Sequence, residues 1–444
     1  MEIQASFAAR ALEGVGRMRE TDGGVRGRVS ALLLLLRGSY FTGENKWRAL
    51  AEEDLRALWR GGVHDHIGGG FFSAAPDREW LRPVFEKRLG DNAALACFYI
   101  EAWQSGRMGF YRDAAEETLD FCLRDLSTAS GLFSAGLRLA ADANEGENPF
   151  LFTPAQLAAV LGDEAGRPFA ACYDVTDEPN CGAASIPNLI LNERWNLLPA
   201  GYDDLRERVR LWRGERGGVV TDPRTMPGDN ALLLAALAKA GRVFADRRYL
   251  AAAEELSAAI AETELSEADR AALSFALTEL YAADYDPAHL AAALRCAPAP
   301  EALRAASALS PEADRALALA ALGFDALWRL TGEESWRLCR GEVLRELCLR
   351  PERHGPESLS GLCALLAASA AERRALCVTP GRTPPAALDA LRTRYAPDLT
   401  LLLKTPSNEE ALAAVCGWTA AFPIGETALL YPFTDGRNAS AARL

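Results

Sequence analysis

An internal repeat constrains this chain more than any other feature. Residues 228–260 (GDNALLLAALAKAGRVFADRRYLAAAEELSAAI) repeat residues 90–122 (GDNAALACFYIEAWQSGRMGFYRDAAEETLDFC) without a gap, at an offset of 138 positions. At that offset Asp91, Asn92, Ala93, Leu95, Ala102, Tyr111, Ala114, Ala115, Glu116 and Glu117 all meet an identical residue. Each copy reads as helix, short turn, aromatic, helix, so the repeating unit is a helical hairpin. A weaker copy starts at Ala313, with Trp336 in the place of the tyrosine. Further hairpins are read at residues 26–37 with 47–60 and 267–281 with 287–295, and a helix at 357–369 has no clear partner. Hairpins of this kind bury their apolar stripe only by stacking on neighbours, so the chain reads as a closed-packed array of them.

Two regions break the helical pattern. Residues 127–194 are irregular: Phe133 and residues 150–152 suggest two short strands around an acidic loop, and residues 154–162 a short helix with Pro154 in its first turn. After about residue 371 the runs ALCVTP, LTLLL and TALLYPF alternate with two helical stretches, the pattern of a small α/β unit. The division expected is therefore a helical array over residues 1–370 and a C-terminal α/β unit over residues 371–444. A net charge of −13 argues against a nucleic-acid or anionic-membrane surface. The N-terminal residues lack an apolar signal core, and the expected location is the cytoplasm. The ten cysteines are scattered with no C-x-x-C pair and read as small buried hydrophobes.

Chemistry-bearing residues concentrate between the first two hairpins, in GGVHDHIGGGFFSAAPDREWLRPVFEKRLGDN, residues 61–92. The glycine triplet at 68–70 does not follow a strand and open a helix, which sets aside a dinucleotide fingerprint. There is no Gly-x-Ser-x-Gly elbow. His64, Asp65 and His66 have the right chemistry for zinc, but His289 and His354 stand alone elsewhere and no metal is expected. No cofactor motif is found.

This segment resembles the most distinctive part of the YyaL-like proteins, the thioredoxin-domain-containing or spermatogenesis-associated type. PFLFTPAQLAAVLG, YDVTDEPNCGAASIPNLI and the second repeat continue the resemblance along most of the chain. It implies an all-α, six-hairpin (α/α)6 toroid like that of glycosidases and of N-acylglucosamine 2-epimerase, completed here by the C-terminal α/β unit. The matched positions are Asp65, residues 68–71, Asp77, Trp80, Leu81, Phe85, Glu86, Lys87, Leu89, Asp91 and Asn92. The departures are His64 where the family has tyrosine, His66 for glutamine, Phe72 for histidine, Gly90 for tyrosine, and residues 136–139 in place of an acidic run. The Cys-His-Trp-Cys motif of the family's redox domain is absent from these residues, so a separate thioredoxin-like chain is one partner the resemblance implies.

In such a toroid the inner helices and their loops line a central funnel. The carboxylates there are Glu86, Asp91, Asp65 and Asp229, with His64, His66, Lys87, Asn92, Trp80, Phe71 and Asn230 as ligand-binding candidates. Glycoside hydrolysis needs two carboxyls in different protonation states, and epimerisation two proton-transfer groups. Plainer roles compete: N-capping for Asp91–Asn92 and Asp229–Asn230, an ion pair within the loop for Glu86 and Lys87 (which on a helix would diverge, leaving one to face the funnel), and core packing for the aromatics. Two function classes follow. One is a sugar-active acid–base enzyme, of epimerase, isomerase or glycosidase type; the other is a non-catalytic scaffold that binds a protein. The departures at residues 72 and 136–139 favour the scaffold.

Overall fold

The computed structural model describes residues 10–15, 24–140, 148–306, 311–349, 355–381, 384–434, 437–438 and 441–443. The acidic loop at 141–147 and His354 lie outside them. Hairpins dominate the fold: α1 (Val25–Thr42) with α2 (Asn45–Arg60), and α3 (Leu89–Gly106) with α4 (Gly109–Asp125). The long connection then carries α5 (Pro154–Leu161), α6 (Asp163–Cys172) and α7 (Tyr202–Glu215). The second repeat is α8 (Pro227–Phe244) with α9 (Arg247–Ala261), followed by α10 (Glu267–Asp284) with α11 (Pro287–Cys296). After α12 (Pro300–Ala306) come α13 (Pro311–Thr331) and α14 (Glu334–Leu349). A 3-10 turn at Pro356–Gly361 leads into α15 (Leu362–Ser369).

One helix of each hairpin faces inward. Helix α1 packs on α3, α3 on α8, α8 on α10 and α10 on α13; α13 meets the 3-10 turn and α15, which return to α1. Six inner elements thus close a ring, with α2, α4, α9, α11 and α14 packed on its outside. Burial separates the two classes. Fifteen of the 18 residues of α8 are buried, because neighbours flank an inner helix on every side. Only Tyr249, Ala253, Leu256 and Ile260 are buried in α9, the single stripe of an outer helix. The repeat extends to backbone conformation: Arg107 and Ala245, 138 positions apart, both end their inner helices in the left-handed region, at φ 55° and 56°. The helix expected at 357–369 is the sixth inner element, and Leu12 of the helical stretch 10–15 packs against α1 at Gly38.

The loops at the start of the inner helices are tied by an antiparallel sheet of β1 (Glu86–Arg88), β2 (Gly136–Leu139) and β3 (Val219–Asp222). One strand was expected in that neighbourhood after Phe133; the second, at 150–152, is instead a single bridge from Phe152 to Ser185. The pairing partner is Val219–Asp222, a Val-Val-Thr run too short to stand out.

The opposite end of the ring is covered by the C-terminal sheet. Strand β4 (Arg373–Val378) pairs parallel with β5 (Leu399–Lys404) and antiparallel with β6 (Leu429–Thr434), and β7 (Arg437–Asn438) and β8 (Ala442–Arg443) add to β6. Helices α16 (Ala387–Thr393) and α17 (Glu409–Val415) flank it. This cover satisfies carbonyls that the inner helices leave free at their C-termini. Arg392 donates to Ala283 O (2.6 Å), Trp418 Nε1 to Leu330 O (3.0 Å) and Asn408 Nδ2 to Tyr285 O (3.4 Å).

Candidate functional site

The glycine-rich segment folds around Asp65. Gly69 and Gly70 both sit in the left-handed region, φ 75° and 73°, and bring the chain back over the carboxylate. Asp65 Oδ1 accepts from the backbone N–H of Ile67 (3.1 Å) and Gly68 (3.0 Å). Lys87 Nζ donates to Asp65 Oδ2 and to Gly69 O, each at 2.6 Å, and Arg213 Nη1 reaches both carboxylate oxygens at 2.8 and 2.9 Å. Burial works to raise the Asp65 pKa, but Arg213 and Lys87 overcome it and hold the carboxyl well below its usual range. The Lys87 ammonium lies 5.2, 4.4 and 5.8 Å from the rings of Phe72, Phe121 and Phe150. Burial there pulls it down to about 8 against the attraction of Asp65.

Beside this cluster His64 Nδ1 and His66 Nδ1 face each other at 3.3 Å, and His66 Nε2 meets Gly61 O at 3.1 Å. The carbonyl requires a proton on His66 Nε2, which in the neutral ring leaves His66 Nδ1 an acceptor facing His64 Nδ1. His64 Nε2 lies 3.5 Å from Glu117 Oε2, a carboxylate that favours a proton on that nitrogen. His64 stacks on Trp59 with centroids 4.2 Å apart. Burial holds both imidazoles below their ordinary pKa.

A second cluster lies at the mouth of the ring, where the inner helices begin. Arg26 Nε donates to Asp91 Oδ1 at 2.6 Å, and Arg315 Nη1 pairs with Asp229 Oδ1 at 2.7 Å. The four groups come from α1, α3, α8 and α13, and Gly90 lies directly against Asp229 and Arg315. Burial pushes Asp91 upward, Arg26 opposes it, and Asp229 adds a smaller upward push.

The capping role considered for these pairs does not hold. Helix α3 is preceded by Arg88 and α8 by Met226, neither with a side-chain cap, so Asp91–Asn92 and Asp229–Asn230 sit inside the first turn. The asparagines do something else. Asn92 accepts from Phe71 N (2.7 Å) and donates to Phe71 O (3.0 Å); Asn230 accepts from Phe133 N (2.8 Å) and donates to Phe133 O (3.0 Å). Each also donates back one helical turn, to Arg88 O and Met226 O. In both repeats the asparagine clasps a loop residue onto the start of an inner helix, and neither amide is left for a ligand.

Glu86 and Lys87 lie on β1, not on a helix, so they point to opposite faces. Glu86 is half-buried and bonded to Arg88 (2.7 Å), apart from the other carboxylates. Phe71 and Trp80 are buried core residues, and Phe72 packs edge-on against Phe85 and Phe150. The structure therefore gathers Asp65, Lys87 and the histidines on one side, Asp91 and Asp229 at the mouth, and leaves Glu86 out. Sequence reading missed Arg213, Arg26 and Arg315, cations distant in the chain with no motif around them; Glu117 had a signal, its identity in the repeat. Among the described residues no three His, Cys, Asp or Glu side chains converge as a metal site, and no helix is long and apolar enough to cross a membrane.

No protein-family model matches the chain. It is 37% identical over 100 residues to human spermatogenesis-associated protein 20 and 36% identical over 167 residues to the mouse protein of that name. These matches cover 22% and 34% of this chain but only 13% and 21% of the relatives' length. They bear out the resemblance read from the sequence. Among solved structures, cellobiose 2-epimerase from Spirochaeta thermophila aligns over 77% of this chain and 85% of its own, at 14% identity and a TM-score of 0.48. A family 76 α-mannanase of Bacteroides thetaiotaomicron aligns over 82% and 94%, at 10% identity and a TM-score of 0.49. The ring itself rests on the helix packing described above.

Proposed function

We propose that this chain is a toroid of carbohydrate-enzyme architecture that works as a non-catalytic scaffold for a protein partner. The division that goes with it is a ring unit over residues 1–370 and a cover over residues 371–444, of which the described residues are those given above. One observation carries the reading: each buried candidate carboxylate has a cation committed to it, Arg26 for Asp91, Arg315 for Asp229, and Lys87 with Arg213 for Asp65. An acid–base pair needs one protonated and one free carboxyl facing its substrate, and a guanidinium at bonding distance works against the protonated form. Phe72, where related sequences are expected to carry histidine, packs with Phe85 and Phe150 instead of presenting a polar group. A thioredoxin-like chain is the partner that the resemblance suggests.

The sugar-active alternative has one observation in its favour. Asp91 is held above its ordinary pKa beside Asp229 on the neighbouring inner helix, the kind of split environment that acid–base pairs use. Thermal shift against mono- and disaccharides and amino sugars, repeated on Asp91→Asn and Asp229→Asn with folding checked by circular dichroism, separates the two. A flat panel supports the scaffold. A sugar-dependent rise in Tm that either folded variant abolishes places an acid–base site at the mouth and sinks it.

A further inference from the structure

The covered end of the ring is built differently from the mouth. A cavity of about 170 Å³ lies between the last turns of the inner helices and residues 391–401 of the cover. That volume holds several water-sized groups, and so a tetrahedral ion. At its wall Glu101 of α3 accepts from Arg37 of α1 at 2.7 and 3.1 Å and from Lys239 of α8 at 2.7 Å. Lys239 and Arg242 share Glu279 of α10, at 3.4 and 3.0 Å. On α13, Asp325 pairs with Arg329 at 2.9 Å and with Arg340 behind it. Burial would raise Glu101, but Arg37 and Lys239 hold it well below the usual carboxylate range, so the network is ionised at neutral pH.

The charges do not balance. Five cations line the cavity, Arg37, Lys239, Arg242, Arg329 and the more exposed Arg394, against the three carboxylates Glu101, Glu279 and Asp325. Arg340 pairs with Asp325 from behind the wall and is outside that count. The Asp398 carboxylate on the cover is taken by Tyr40 and Arg373. Two surplus positive charges in a partly desolvated space are costly unless an anion joins them. Donors for one are also in place. Arg242 Nε and the hydroxyls of Tyr285 and Tyr395 are buried at the cavity and have no hydrogen-bond partner among the described residues. Tyr285 is only 3% exposed.

We infer that this cavity binds a small oxyanion of charge near −2, inorganic phosphate or the phosphate group of a small sugar phosphate. Phosphate carries about −1.5 to −2 at neutral pH and matches the surplus. Its oxygens accept from guanidinium and hydroxyl donors together. The site involves none of the mouth residues and stands whether or not the ring is catalytic.

Isothermal titration and thermal shift with sodium phosphate, and separately with glucose 6-phosphate, against sodium chloride at matched ionic strength, test it. Saturable binding is expected, with Kd raised about tenfold in Tyr285→Phe and binding lost in Arg242→Gln. A response to both ligands assigns the free ion, and a response to the sugar phosphate alone assigns the organic phosphate; either supports the site. No response beyond chloride overturns it. So does binding that survives both variants, or that is lost in Asp91→Asn but kept in Tyr285→Phe, which would put the anion at the mouth. Tyr285→Phe removes a single unpartnered oxygen, so it tests the site even if Arg242→Gln fails to fold.

Discussion

The two ends of the ring use the same residue types to opposite effect. At the mouth, carboxylates meet arginines one to one, Asp91 with Arg26 and Asp229 with Arg315, and each arginine keeps about a fifth of its side chain in solvent. At the covered end Arg37, Glu101, Lys239, Glu279 and Arg242 form one chain of contacts beside the separate Asp325–Arg329–Arg340 cluster, and Lys239 and Glu101 each have side-chain exposure of 6% or less. The difference follows from what lies above each end. Loops that begin inner helices leave arginine heads access to water, whereas the C-terminal sheet removes it and leaves surplus charge facing a cavity. Ion pairs at the mouth are thus cheap to break, and those under the cover are not.

The largest expected effect tests that contrast directly. Glu101→Gln leaves Arg37 and Lys239 buried with a neutral partner and should cost about 3–5 kcal/mol. Asp91→Asn leaves Arg26 able to rehydrate and should cost only about 1–2 kcal/mol. Equal losses in urea denaturation would mean that the two ends are equally desolvated. Next in size are the two clasps. Asn92→Ala and Asn230→Ala each strand a buried N–H and C=O of a phenylalanine, for about 2 kcal/mol. The two should agree closely, since both copies make the same three bonds. A large gap between them would show that the repeat is only geometric.

How much of this could be read beforehand depends on separation along the chain. The hairpins were legible because their signal is local, an apolar period and a turn, and the repeat at 138 residues doubled it. The same offset also contained part of the covered network: Glu101 and Lys239 occupy equivalent positions in α3 and α8, and they bond to each other. That pairing was invisible because an acid and a lysine at matching positions look like divergence until the two helices are placed side by side. Arg213, which holds Asp65 across 148 positions, carried no pattern at all. Glu86 was misplaced for a local reason. The segment before α3 reads as part of a long loop, yet it pairs with residues 136–138, whose register only the fold supplies.

A smaller effect is expected from the histidines near the mouth. His64 and His66 have folded pKa values below 6.5, so the unfolded chain binds their protons first. Their contribution to stability is complete above about pH 6.5 and falls as pH drops, by up to about 1.4 kcal/mol per pH unit for each histidine. Asp113, pushed up to about 6 by burial and Glu117, and His289, raised by Asp284 despite burial, work in the other direction. The readout is therefore the difference between the parent and a His64→Asn/His66→Asn variant between pH 7.5 and 5. The variant should lose less stability over that range. An identical pH dependence would show that the histidines are not neutral in the fold.

The smallest effect separates the two repeats at their most similar point. Gly90 and Gly228 are equivalent, and both sit at the start of an inner helix. Alanine favours a helix over glycine by about 1 kcal/mol, which would stabilise both sites equally. What each new methyl would strike differs. At Gly90 it runs into Asp229 Oδ1, held by Arg315 on a partly hydrated side chain that can swing aside. At Gly228 it meets Asp269 Oδ1 at 2.8 Å, and that oxygen accepts the Gly228 N–H while its partner oxygen closes the capping box of Ser266. Gly90→Ala should therefore stay within about 1 kcal/mol of the parent, the helix gain offsetting the displaced ion pair. Gly228→Ala should lose about 1–2 kcal/mol, because moving Asp269 uncaps α10. The reverse order in thermal denaturation would mean that Asp229 and Arg315 are pinned more tightly than a partly exposed pair allows, and the mouth would then have to be counted as a preorganised site.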